Sequence, residues 1–148
     1  MCVEKKYNYK EKHRLLQLRY DEVEREHEEL MQVLMAFRDE IERPINKEDL
    51  EKFPLLEWVD LNDKVSIRRR NNLFGEYLNF DTKLEKDGEF GEHFHNDIIE
   101  NAEIISGRML DKLDGHIYNA HDVMHYEKGE KHQPLALEKT LLKVIFKP

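Results

Sequence analysis

From residue 65 onward the apolar side chains of this chain recur every second residue. Val65 and Ile67 alternate with Ser66 and Arg68. Leu78, Phe80 and Leu84 alternate with Tyr77, Asn79, Asp81 and Lys83. Near the end, Thr140, Leu142, Val144 and Phe146 alternate with Leu141, Lys143, Ile145 and Lys147. Successive side chains of an extended strand point to opposite faces, so these runs are strands with one face turned inward. Asp87-Gly88, Asp114-Gly115 and Lys128-Gly129 punctuate the region as tight turns. No helical period follows about residue 60, and there is no internal repeat. Short strands with regular turns predict an antiparallel β sandwich or barrel.

The N-terminal part obeys a different period. Leu16, Tyr20, Val23, His27, Leu30, Leu34, Phe37 and Ile41 step by four and three residues, a heptad repeat. Neither Gly nor Pro interrupts it before Pro44, which predicts a helix over about 13–43, with polar, frayed residues 1–12 before it. At about 1.5 Å per residue such a helix is roughly 40 Å long. Two readings of its narrow seam stand side by side. One is a coiled coil that makes a homodimer. The other is a helix laid against its own domain, for which Met31 and Val33 supply the extra width. His27 in the seam reads as a polar residue that sets register. Asn46 and Asp49 form a cap pattern opening a short helix over about 47–53, which Pro54 stops. Leu55, Leu56, Trp58, Val59 and Leu61 read as an apolar connector. The expected division is a helical extension over 1–64 and a β barrel over 65–148.

Composition narrows the function. The 148 residues carry a formal net charge of -8, which argues against a nucleic-acid surface, since phosphate contacts need a basic face. Arg68-Arg69-Arg70 is the only counter-signal and reads as a solvated strand edge. Charged residues make up 38% of the chain, so part of it belongs in an extended, solvated element. The single cysteine, Cys2, can form no internal disulfide, and a reducing cytoplasm is the simple expectation. No stretch approaches the roughly 20 apolar residues that cross a bilayer, so no membrane partner is expected.

Chemistry concentrates between His93 and His132. His93 and His95 lie two apart, so on a strand both imidazoles face one side and Phe94 the other. Asn96-Asp97 breaks the strand, and a return would bring Glu100 back beside them. His132 follows a glycine turn. Neutral imidazoles with one carboxylate suit a divalent transition metal: iron, manganese, nickel, cobalt or zinc. Four such ligands in an octahedron leave two positions open. His116 and His121 read as rim residues. His125 is a candidate acid/base or supporting group in the cavity, and Tyr126 has the same standing.

The spacing resembles a known family. His93-x-His95, four residues, Glu100, six residues, Gly107 is similar to the first motif of the cupin superfamily. Asp122-Val-Met-His-Tyr-Glu-Lys-Gly129-Glu-Lys-His132 resembles the second. The resemblance covers roughly residues 65–148 and implies a small jelly-roll β barrel there. It says nothing of the long amphipathic helix that precedes the barrel. It implies His93, His95, Glu100 and His132 as the four metal ligands. The sequence departs from the pattern at turn and packing positions. Asp87 stands at the glycine six residues before His93, His121 at the opening glycine of the second motif, Glu127 at a proline and Ala136 at an asparagine. No ligand is replaced.

Cupins of this size include dioxygenases, isomerases and decarboxylases. The resemblance therefore implies oxygenase- or isomerase-type chemistry on a small oxygenated or anionic molecule at one metal ion. No Gly-x-Ser-x-Gly, Walker-type loop or Cys nucleophile offers a competing mechanism. Two further readings are a non-catalytic protein that binds a metal or small ligand, and a structural protein whose metal staples the barrel while the helix oligomerises it.

Overall fold

The computed structural model describes residues 2–72 and 77–148, with side chains from residue 11 onward. The first element is the long helix α1 (Cys2–Phe37). Its backbone is helical through the residues expected to fray, where Glu and Lys, good helix formers, abound. It also ends six residues before the expected 43. Asp39 takes a left-handed conformation with φ 61°. Its N–H donates to Ala36 O at 3.2 Å, and Glu40 N–H to Met35 O at 2.9 Å. This is the double-bonded C-terminal cap usually built on glycine. An aspartate fills the position here, so the sequence carried no glycine or proline signal for it.

The stripe on α1 has two fates. Val33, Leu34, Ala36 and Phe37 are buried in the core, with Leu30 and Met31 packed against it. Residues 11–29 are exposed throughout. Packing on its own domain therefore accounts for the last two turns of the helix alone. A short helix α2 (Lys47–Leu50) follows, opened by Asn46, whose N–H donates to Asp49 Oδ2 at 2.9 Å. It is shorter than the expected 47–53.

Nine strands follow among the described residues: β1 (Trp58–Asn62), β2 (Val65–Arg70), β3 (Leu78–Leu84), β4 (Ile99–Ser106), β5 (Met109–Asp111), β6 (Ile117–Tyr118), β7 (Val123–Tyr126), β8 (Pro134–Ala136) and β9 (Thr140–Lys147). They form a six-stranded sheet, β1-β2-β3-β9-β4-β7, and a three-stranded sheet, β6-β5-β8. Every strand pairing is antiparallel. The class is the expected one, an antiparallel jelly roll behind a long helix. The alternation seen in the sequence is the register of the core. Phe80 pairs with Val144 and Leu78 with Phe146 across β3 and β9, all four buried.

Two local expectations change. The connector at 55–61 contains strand β1, which pairs with β2. Its outward Trp58 is held between the Arg68 guanidinium, 4.6 Å from the ring centroid, and the Lys83 ammonium at 3.8 Å. A Trp on the solvent face disguised the period. His93 and His95 lie outside any named strand, on an extended segment joined to the second sheet's side by single bridges, Glu89 with Leu135 and His93 with His132. No helix among the described residues is long and apolar enough to cross a membrane.

Candidate metal centre

The segment Gly91–His95 is pinned from both directions. Gly91 N–H donates to Phe37 O, the end of α1, at 2.7 Å, and Ile45 N–H donates to Phe94 O at 2.9 Å. Gly91 has to be glycine, because a Cβ there would sit 2.6 Å from Asp39 N. The segment stays extended, so alternation turns His93 and His95 inward together. His93 and His132 exchange backbone hydrogen bonds of 3.1 and 3.0 Å, and Gly129 N–H donates to His95 O at 2.6 Å. Glu100 enters from β4, opposite Tyr126 of β7 and Phe146 of β9.

The structure thus brings His93, His95, Glu100 and His132 together in the barrel interior. Their relative exposures are 4%, 2%, 9% and 1%. Four ionisable side chains in an apolar core are costly unless something satisfies them. One ring nitrogen from each histidine lies within 4.8 Å of the others. The His93 and His132 ring centroids are 4.2 Å apart, and His95 lies 5.3 Å from each. Glu100 Oε2 is 2.9 Å from His132 Nε2.

The outer nitrogens explain the orientation. Nδ1 of His93 lies 2.7 Å from Gly91 O, Nδ1 of His132 lies 3.0 Å from Glu130 O, and Nδ1 of His95 meets Ile45 O. A carbonyl can only accept, so each Nδ1 carries a proton, and in a neutral ring the lone pair is then on Nε2. His95 Nε2 is buried with no hydrogen-bond partner among the described residues. That orphaned nitrogen is what a metal ion would satisfy, so the residues fit one.

Electrostatics separates the four groups. Burial, reinforced by His132 and His95, pushes the His93 imidazole well below its usual range. Burial lowers His95 as well, against the pull of Glu100. At His132 burial acts in the same direction, but the Glu100 carboxylate outweighs it and the imidazole is raised. Glu100 is lowered despite its burial, because His132 favours the carboxylate. Two neutral imidazoles beside an imidazole–carboxylate pair is a donor set ready for a cation.

His125 does not join them. On β7 the side chains of Met124 and Tyr126 point inward, so His125 points out, its side chain 48% exposed. Its Nδ1 lies 2.6 Å from Asn101 Oδ1 and its Nε2 2.8 Å from Glu127 Oε1. The period of two that places Tyr126 in the interior excludes His125 from it, so His125 does not occupy the expected position in the cavity. His116 and His121 are exposed.

Tyr126 stacks on His132, with centroids 4.0 Å apart and planes within 7°. Its hydroxyl donates to Asp111 Oδ2 at 2.9 Å. Burial, then the Asp111 carboxylate, pushes its phenol far up, so it remains a donor. Asp111, itself buried, also accepts from Leu113 N–H at 3.0 Å and Gln133 N–H at 3.3 Å through Oδ1. The heptad marks Phe37, whose ring lies 5.1 Å from that of His93, only as a seam position, and nothing in the sequence marks Asp111. Both act through tertiary contacts that no local spacing announces.

Beside the histidines is a cavity of about 40 Å³, walled by apolar side chains such as Phe80, Ala102, Met124, Leu142 and Val144. A β-sandwich interior with a motif-spaced histidine cluster at one end can be compared directly with solved structures. No protein-family model matches the sequence, and no curated protein is similar to it. Solved structures do match. KdgF from Halomonas sp. superposes with a TM-score of 0.57 at 15% identity, over 62% of this chain and 86% of that one. An RmlC-like cupin from Shewanella frigidimarina gives 0.55 at 17% identity, over 65% and 89%. A predicted oxalate decarboxylase from Thermotoga maritima gives 0.54 at 17%, over 63% and 91%.

This is the cupin fold. Within the cupin barrel, the two positions where the family's glycines are replaced keep the glycine-like conformation. Asp87 has φ 69° and His121 φ 77°. The retained Gly107 and Gly129 have φ 97° and 80°. At Asp87 and His121 the departure in sequence is therefore not a departure in turn geometry.

Proposed function

We propose that this cupin holds one divalent transition-metal ion, with Nε2 of His93, His95 and His132 as ligands and the Glu100 carboxylate as a fourth. The observation that carries this reading is the common orientation of the imidazoles. Each gives its Nδ1 proton to a backbone carbonyl, and the buried Nε2 of His95 has no hydrogen-bond partner among the described residues. Iron, manganese, nickel, cobalt and zinc suit this donor set. A bound ion of this kind supplies Lewis-acid polarisation of a ligand's oxygen. The ligand is a small oxygenated molecule, since among the described residues no lysine or arginine lines the cavity to pair with a multiply charged one. At roughly 10–15 Å³ per water, the cavity of about 40 Å³ takes only a few heavy atoms.

That small volume favours a second reading, in which the ion is a staple that joins the Gly91–His95 segment to the barrel without turnover. Elemental analysis of untagged protein tests the shared part. About one ion per chain is expected, falling sharply in His132→Ala. Metal-free protein that folds equally well and ignores all five metals would sink both readings. Oxygen consumption and product analysis of the iron-loaded form with small acids and diols separates them. A staple raises thermal stability and turns over nothing.

A further inference from the structure

We propose that residues 13–30 of α1 pair antiparallel with the same segment of a second copy of this chain. Leu16, Tyr20 and Val23 occupy successive heptad seam positions and are 67%, 59% and 56% exposed. The same stripe continues into Leu34 and Phe37, which its own barrel buries. A stripe of this kind, left in water over about four turns, lacks only a narrow partner. Leu15 and Leu18 fall off the stripe and stay solvated in this pair.

Charge identifies the occupant. Residues 11–20 carry Lys12, Arg14 and Arg19 against Glu11 alone. Residues 21–29 carry Asp21, Glu22, Glu24, Glu26, Glu28 and Glu29 against Arg25 alone. Antiparallel pairing lays the basic half of each helix along the acidic half of the other. Parallel pairing would set two acidic halves side by side. The seam then stacks Leu16 against His27 of the second copy and Tyr20 against Val23 of the second copy. Arg19 is brought beside Glu26 of the second copy, twice by symmetry. The barrel adds a steric argument. It covers the stripe from Leu30 onward. Parallel copies would crowd two barrels onto one end of the pair, whereas antiparallel copies hold them at opposite ends. The segment is about 27 Å long at 1.5 Å per residue.

The test uses the full chain. Sedimentation of the wild type from micromolar to millimolar concentration is expected to move from the mass of one chain to that of two. Val23→Glu, at an exposed site, should stay monomeric with an unchanged melting temperature. Arg19→Glu should weaken dimerisation about ten-fold, two attractive pairs becoming repulsive, and Arg19→Glu with Glu26→Arg should restore it. In a Cys2→Ser background, a mixture of Leu16→Cys and His27→Cys chains should form the mixed disulfide in preference to either homodisulfide. A wild type that is monomeric at millimolar concentration overturns the proposal, as does a dimer indifferent to Val23→Glu. Preferential Leu16→Cys homodisulfides would mean a parallel pair and overturn it equally.

Discussion

At the scale of single residues, the site and its surroundings are held by backbone as much as by side chains. Three carbonyl groups fix the three imidazole tautomers, so replacing a neighbouring side chain disturbs the site less than shifting a peptide plane. Asp87 and His121 show the same economy in reverse. Each holds a left-handed conformation at φ 69° and 77° without being glycine. That conformation costs a side-chain-bearing residue about 1–2 kcal/mol, part of which glycine returns through its greater freedom when unfolded. Asp87→Gly and His121→Gly are each expected to stabilise the protein by about 0.5–1 kcal/mol, read from urea midpoints. Loss of stability in either would mean that the side chain has another role.

The titrating groups give a pH prediction for chelator-treated protein. His93 and His95 are depressed by burial, so below about pH 6.5 the unfolded chain takes up protons that the folded one refuses. Their effect is a loss of stability as pH falls through that range. His132 is raised, so its contribution is complete below the ordinary imidazole value and is lost as pH rises through its own. Glu100 is lowered, so its contribution is present above the ordinary carboxyl value and is lost as pH falls through its own. Below about pH 6.5 the His132 contribution is already complete, so the two depressed imidazoles set the slope. The melting temperature of metal-free protein should therefore drop between about pH 6.5 and pH 5. Calorimetry showing a flat or rising profile would contradict the depressed imidazoles.

At the scale of elements, the end of α1 is part of the site. Phe37 packs its ring against Phe53, Phe90 and His93 at centroid distances of 6.4, 5.9 and 5.1 Å. Its carbonyl receives the Gly91 N–H that holds the histidine segment. Phe37→Ala removes a buried ring and should cost about 3–5 kcal/mol, measured by denaturant unfolding. Gly91→Ala acts on the same joint without touching a ligand. Its methyl group would meet the Arg38–Asp39 backbone, so metal affinity by titration should fall together with stability. A variant that lost stability and kept full affinity would show the two elements to be uncoupled.

At the scale of the whole molecule, the barrel is complete without the exposed part of α1, and the metal would join what packing alone leaves costly. An ion that binds only the folded state at 100 times its dissociation constant adds about 2.7 kcal/mol. For a chain of this size that is a rise of roughly 5–11 °C in melting temperature, at about 2–4 °C per kcal/mol. Calorimetry with and without each metal should show it in the wild type and not in His93→Ala.

The sequence by itself determined the period of the sheet, and with it the class of fold and the inward face of each long strand. It also placed His93 and His95 together on one inward face, because alternation is a local rule that survives any tertiary arrangement. It did not determine where α1 stops, since Asp39 takes a conformation that glycine signals usually mark. Strand parity alone would have put His125 outside, had the strand's phase been known. Phase is set by which neighbour lies across the sheet, and here Asn101 and Glu100 of β4 decide it. The tertiary structure alone joined Glu100 to His132, stacked Tyr126 on that ring and closed Phe37 over His93. Those contacts link residues far apart in sequence, and their geometry comes from the packing of two sheets around one core.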